Sequence, residues 1–193
     1  MIQLSDRLLS MEESATIAMS RKSRELKASG KDVISLSLGE PDFNTPEFIK
    51  DAAKEAMDNN FTKYMPVPGY EDLRESISNK FKRDNNLHYS KDQIVVSTGA
   101  KQSIANVVLT LINPGDEVII PAPYWVSYIE IVKVSGGIPV IVNAGIEKDF
   151  KISGEDLSRA ITSKTKLIIF STPCNPTGSV YSKSELRNIA DVL

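Results

Sequence analysis

The chain has 193 residues, 41% hydrophobic and 25% charged, with a formal charge of −2. That length and composition suit a globular chain with one well-packed domain plus an arm or subdomain, and exclude a disordered one. The charge offers no basic field to nucleic acid or an anionic membrane, and no apolar run is long enough to span a bilayer. The N-terminal MIQLSDRLLS lacks the apolar stretch of a secretory signal. One cysteine, Cys174, excludes an internal disulfide and fits a reducing, cytoplasmic setting. One histidine, His88, in the surface-like NLHYSKD, cannot build a His-based metal site, so no metal is expected.

Taken in chain order, residues 13–29 read as a moderately amphipathic helix stopped by Gly30. DVISLSL (32–38) alternates apolar and polar residues as a half-buried strand would. Thr45 before Pro46 reads as an N-cap and first-turn proline opening a helix to about Asp58. FTKYMPVPGY (61–70) is an irregular loop, and a helix follows from Glu71 to about Arg83. From there strands and helices alternate. Strands are expected at 93–97, 117–120, 138–142 and 166–170. Helices are expected at 100–112, 124–134, 155–161 and from Ser184 onward, with a turn at Asn113-Pro114-Gly115-Asp116. Val/Ile-rich runs separated by amphipathic helices predict a parallel sheet covered on both faces. The fold class is therefore α/β: an N-terminal arm and helices, then an incomplete, mainly parallel sheet covered by helices. No internal repeat or flexible linker interrupts it. The alternating series stops at Leu193 inside its last helix, which reads as the N-terminal part of something longer.

In open parallel sheets ligands sit beyond the carboxyl ends of strands, and three such ends carry unusual residues. Ser97-Thr98-Gly99-Ala100-Lys101 opens a helix with small residues whose N–H groups could face a phosphate. It matches neither the Walker A loop nor the dinucleotide fingerprint, and a plain strand–helix turn reads it equally well. Pro121-Ala122-Pro123-Tyr124-Trp125 holds the only tryptophan, either a packing aromatic or a flat face for a planar ligand. Ser171-Thr172-Pro173-Cys174-Asn175-Pro176-Thr177-Gly178 (STPCNPTG) places Asn175 between two prolines that fix φ and remove two backbone donors. Such a turn either simply ends a strand or presents one amide stiffly. Cys174 lacks an activating histidine and reads as a small filler. A phosphate cradle, an aromatic plane and an oriented amide together describe a site for a flat, phosphorylated, hydrogen-bonding ring such as pyridoxal 5′-phosphate.

These motifs, with Gly39-Glu40-Pro41-Asp42-Phe43, Thr62-Lys63-Tyr64 and Pro68-Gly69-Tyr70, occur in an order that resembles the class I pyridoxal-phosphate-dependent aminotransferases, nearest the bacterial aspartate aminotransferases. The likeness runs from residues 14–19 (SATIAM) to Leu193. It implies the large domain of the fold type I transferases, with residues 1–45 as an arm and part of a small domain and 46–193 as an incomplete cofactor-binding domain. It implies that the Gly39 backbone meets the substrate α-carboxylate and that the N–H groups of Gly99, Ala100 and Lys101 hold the cofactor phosphate. Trp125 would stack on the pyridine ring and contribute with Asn175 to substrate binding. Asn175 would bond the ring's phenolic oxygen, and the Lys101 side chain would stand beside a dicarboxylic substrate's distal carboxylate. Tyr64 would reach the phosphate of a neighbouring subunit, so the complete protein is expected to be a homodimer acting on an amino acid and a 2-oxo acid.

The resemblance also marks departures. The family's cofactor-bearing lysine, the acidic partner of the pyridinium nitrogen and the carboxylate-binding arginine would lie beyond Leu193, so no catalytic residue is assigned. Lys164, Lys166 and Lys183 read as surface lysines. Relatives that transaminate prephenate carry a lysine where this chain has Glu12, which argues against that activity here. Two rival readings stand beside the enzyme: a truncated or split-gene remnant without activity, and a Rossmann-type nucleotide module, which lacks its glycine fingerprint.

Overall fold

The computed structural model describes residues 3–193. In chain order its helices are α1 (Asp6–Leu9), α2 (Ala15–Ala28), α3 (Glu47–Asp58), α4 (Glu71–Asn85), α5 (Ala100–Leu111), α6 (Ser127–Val134), α7 (Gly154–Ala160) and α8 (Lys183–Ala190). The strands are β1 (Glu117–Ala122), β2 (Ile138–Asn143) and β3 (Thr165–Ile168). The backbone divides into two compact units, residues up to 38 with 103–193, and residues 39–102.

The first unit is built on a parallel sheet in the order β2-β1-β3. Central β1 is flanked on both sides, and Val118, Ile119 and Ile120 are wholly excluded from solvent. Side chains alternate across a strand. Accordingly Val118 and Ile120 join one core with Val108, Tyr128, Ile131 and Val132. Ile119 joins the opposite core with Ile152, Leu157, Tyr181 and Ile189. Right-handed crossovers explain the two layers. The connection from β1 out to β2 places α6 on the first face, and the return from β2 past β1 to β3 places α7 on the second. The near-continuous apolar strand that the sequence shows is the signature of a sheet buried on both faces.

Local signals set the helix ends. Ser153 accepts from Asp156 N while the Asp156 carboxylate accepts from Ser153 N, a reciprocal cap that starts α7. Ser182 and Glu185 do the same for α8. Acidic Glu71 and Asp72 open α4, basic Lys82 and Arg83 close it, and Asn86 ends it in the left-handed region. At the turn between α5 and β1, Asp116 N donates to Asn113 O and the Asp116 carboxylate accepts from Asn113 N.

Several expectations need correction. Residues 32–38 form no strand: Ile34 and Leu36 are 86% and 90% exposed, and no described strand pairs with them. Alternation marks an extended segment with two unlike faces, but a strand exists only with a partner. Residues 93–97 are not a strand either. A 3-10 turn covers Lys91–Gln93, Ile94 is extended and buried, and Val96 donates one backbone bond to Pro68. The neighbour of this segment is the irregular 66–70 loop, which supplies a single bond in place of a ladder. A Cβ on Gly69 would lie 2.7 Å from the Val96 side chain, so the two backbones approach this closely only because residue 69 is glycine. The helix expected from Tyr124 starts at Ser127, and α3 starts at Glu47 after Pro46 without a side-chain cap from Thr45. Short α1 was not expected. The remaining strands and helices fall within one to three residues of their predicted bounds.

Two outcomes follow for stability. Ile119→Ala leaves a cavity beneath β1 and should cost about 2–5 kcal/mol in urea unfolding followed by circular dichroism. Val180→Ala, at a position 56% exposed, should change the midpoint little.

A further outcome concerns pH. The Glu185 carboxylate accepts from Ser182 N and from Lys151, which lowers its pKa to about 2. A group depressed on folding stabilises the fold above its unfolded value and loses that contribution as pH falls through its folded value. The stability gap between wild type and Glu185→Gln should therefore be constant above about pH 5 and shrink between pH 5 and 2. A gap that stays constant over that range would refute the assignment.

Candidate functional site

The chain leaves β1 toward α6 on one face of the sheet and leaves β3 toward α8 on the other, since Ile131 and Val132 lie in the first core and Ile189 in the second. Two adjacent parallel strands whose continuations part to opposite faces open a crevice at their carboxyl ends. Two of the segments singled out in the sequence lie there, PAPYW after β1 and STPCNPTG after β3. They touch: the Cys174 thiol donates to the Pro123 carbonyl at 3.4 Å. Pro123, Tyr124, Phe150, Ser171, Cys174 and Asn175 line one concavity between them. Cys174, half-buried, therefore packs and bonds as a filler.

The Asn175 turn is closed by its own backbone. Cys174 N donates to Ser179 O at 2.9 Å and Gly178 N to Cys174 O at 2.8 Å. Asn175 N donates to Ser171 Oγ at 3.3 Å, and Ser179 N to Thr177 Oγ1 at 3.2 Å. The residues between the two prolines thus have their backbone donors committed, and the Asn175 side chain is exposed with no hydrogen bond among the described residues. An amide so held can donate and accept toward a ligand without first breaking an internal bond.

Trp125 is half-buried, and its ring meets the buried Tyr128 edge-on, centroids 5.5 Å apart at 87°. Tyr128 belongs to the first core, so the indole is fixed to the scaffold of the sheet.

The other candidates belong to the unit of residues 39–102. Gly39 is exposed, and Tyr64 is fully exposed. Gly99 has φ 97°, a conformation that favours glycine, and a Cβ there would meet nothing within 4 Å, so the space over the turn is open. Its N–H donates to Ser97 O at 2.8 Å. Ala100 and Lys101 begin α5, at the positive end of the helix. Thr98 donates through both N–H and Oγ1 to the Gln102 side-chain oxygen, which ties the turn to the helix it precedes. Gln102 had no place in the sequence reading. Its signal is a threonine followed four residues later by glutamine, one residue wider than the usual capping box.

Tyr181 and Phe150 were also missed. Tyr181 is buried against Phe170, rings 5.6 Å apart, and its phenol accepts from Ile152 N at 2.8 Å. Burial pushes its pKa up. Among the described residues no cluster of His, Cys, Asp and Glu could hold a metal, and no helix is long and apolar enough to cross a membrane.

The chain is 53% identical over 190 residues to a probable aspartate/prephenate aminotransferase of Rickettsia bellii, covering 98% of this chain and 48% of that protein. It is 49% identical over 189 residues to an aspartate aminotransferase of Bacillus sp. strain YM-2, with 98% and 48% covered. Its fold matches the structure of the Thermus thermophilus aspartate aminotransferase with maleate at a TM-score of 0.96 and 43% identity, covering all of this chain and 50% of that one. The chain thus spans about half the length of the relatives it matches. A family model for aminotransferases of class I and II matches residues 31–193, and this chain belongs to that family.

Proposed function

We propose that this chain forms part of an aminotransferase that passes an amino group from L-aspartate to 2-oxoglutarate with pyridoxal 5′-phosphate as cofactor. The observation that carries the reading is the crevice between the ends of β1 and β3, with one stiffly held, exposed amide in it. The aspartate aminotransferases among the relatives supply the choice of substrate.

The residues present suit that cofactor in each unit taken by itself. Asn175 has an uncommitted side-chain amide whose N–H can donate to the ring's phenolic oxygen. The indole of Trp125 is the flat surface for the ring. The turn at Gly99 has open space above it and the positive end of α5 behind it, which suits a phosphate. There the N–H groups of Ala100 and Lys101 would bind it, joined by Gly99 if its bond to Ser97 opens. When bound, the cofactor supplies the electron sink that lets an amino acid release its α-proton. The backbone of Gly39 would take the α-carboxylate and the side chain of Lys101 the distal one. Fully exposed Tyr64 would reach the phosphate bound by a second copy, which makes the working form a homodimer. Residues 1–45 would serve as arm and part of a small domain, 46–193 as part of the cofactor-binding domain, in a cytoplasmic enzyme. Aspartate rather than prephenate is favoured because residue 12 is glutamate, exposed and held only by its backbone N–H to Glu130.

The test joins residues 1–193 to the second half of the Thermus enzyme and measures cofactor affinity and kcat/KM. Asn175→Ala should weaken cofactor binding about tenfold. An unchanged affinity would remove Asn175 from the site.

Lys101→Ala should lower kcat/KM for aspartate by roughly 10- to 150-fold, one charge-assisted hydrogen bond. An amino acid with an apolar side chain should lose far less, having no second carboxylate. Equal losses for both would assign Lys101 to the phosphate or the fold instead. The 193-residue chain alone should not turn over aspartate and 2-oxoglutarate, and any such turnover would overthrow the expectation that the catalytic lysine is supplied from elsewhere.

A further inference from the structure

Residues 149–152 combine a left-handed turn with polar contacts to a segment about 30 residues further along the chain. Asp149 and Phe150 are consecutive non-glycine residues at φ 52° and 55°. Asp149 is the left-handed cap of the 3-10 turn Ile146–Lys148, which accounts for its conformation locally. The backbone N–H groups of the pair close the preceding 3-10 turn, Asp149 N donating to Ile146 O and Phe150 N to Gly145 O, both at 3.0 Å, while the side chains of Asp149 and Lys151 reach the segment that follows the Asn175 turn. Ser179 Oγ donates to Asp149 Oδ1 at 3.4 Å, and Lys151 Nζ donates to Val180 O at 3.4 Å. Lys151 also bridges Asp149 at 3.3 Å and Glu185 at 2.9 Å. Ile152 N, on a buried residue, donates to the Tyr181 phenol. Tyr181 N in turn donates to Thr172 Oγ1 at 3.0 Å, closing the base of the turn from inside.

We propose that residues 149–152 form a clamp that fixes the base of the Asn175 turn, with Tyr181 as the positioning residue through which it acts. Tyr181 joins three things at once: the strand end at Phe170 by its ring, the clamp by its oxygen, and the far side of the turn by its backbone. The ring anchors it in the second core, so the phenol oxygen cannot follow a displaced turn. Phe150 lines the same concavity as Asn175, so the clamp also shapes the wall that the amide faces. The proposal rests on the reading of Asn175 as the amide presented to the cofactor ring. Its structural half stands apart from that reading.

The structural half is read by amide hydrogen exchange on the 193-residue chain. Tyr181→Phe keeps the ring and removes the acceptor, leaving Ile152 N–H buried and unpaired. The amides of Cys174 and Gly178 should exchange roughly tenfold faster, while those of α6 change by less than about twofold. Ile189→Val, which removes one methyl group from the same core, should not reproduce that local pattern. If Tyr181→Phe does not fold, Lys151→Met decides, since it retains the aliphatic stem and loses the contacts to Asp149, Glu185 and Val180. Uniform acceleration, or none, overturns the clamp.

The functional half is a double-mutant cycle on pyridoxal 5′-phosphate affinity in the joined protein described above. Tyr181→Phe should weaken binding when Asn175 is present and have no further effect in Asn175→Ala. Additive losses would show that Tyr181 does not act through Asn175 and would overturn the positioning role. No loss from Asn175→Ala alone would instead defeat the functional reading of Asn175, with the exchange result still deciding the clamp.

Discussion

Burial of β1 on both faces is the constraint from which the rest of the first unit follows. Three consecutive residues, Val118, Ile119 and Ile120, have no solvent contact, and alternation sends them to two different cores. A strand in that position needs a neighbour on each side and a helix layer above and below. Once β2 and β3 flank it, handedness sends their connections to opposite faces. The crevice between β1 and β3 is thus a by-product of satisfying one apolar strand. The proposed function would use a gap that packing creates.

The same logic separates scaffold from site. The cores are held by apolar contact, which is non-directional and tolerant of small shifts. The turn after β3 is held by directed hydrogen bonds and by prolines that limit φ. The proposed site, which would set one amide against a planar ring, needs the second kind of restraint. The first kind supplies its foundation at Phe170 and Tyr181. Residues 39–102 show a parallel solution at smaller scale, where the Gln102 side chain binds Thr98 twice and fixes the start of α5.

The sequence disclosed much of this because its strongest signals are the most physical ones. EVII and LIIF are too apolar to be anything but core strand, and the helices between them carry clear stripes. Short motifs in a recognisable order then pointed to the family. What stayed hidden depends on partners distant in sequence. Alternation in 32–38 and β-branched residues in 93–97 mark extended backbone but cannot say whether a second strand lies alongside. Tyr181 reads as one more core aromatic until Ile152 is seen donating to its oxygen, 29 residues away. The left-handed pair Asp149 and Phe150 gives no compositional hint, since neither is glycine.

Trp125 has a consequence apart from its proposed stacking role. It is the chain's only tryptophan, and it sits on the first core beside Tyr128. Residues 39–102 contain Tyr64, Tyr70 and Tyr89 but no indole. Emission excited at the red edge of the aromatic band therefore reports on one unit alone, while far-ultraviolet ellipticity sums the helices of both. Two optical traces that separate on heating would show the units melting independently. Two that superimpose would show a single cooperative body.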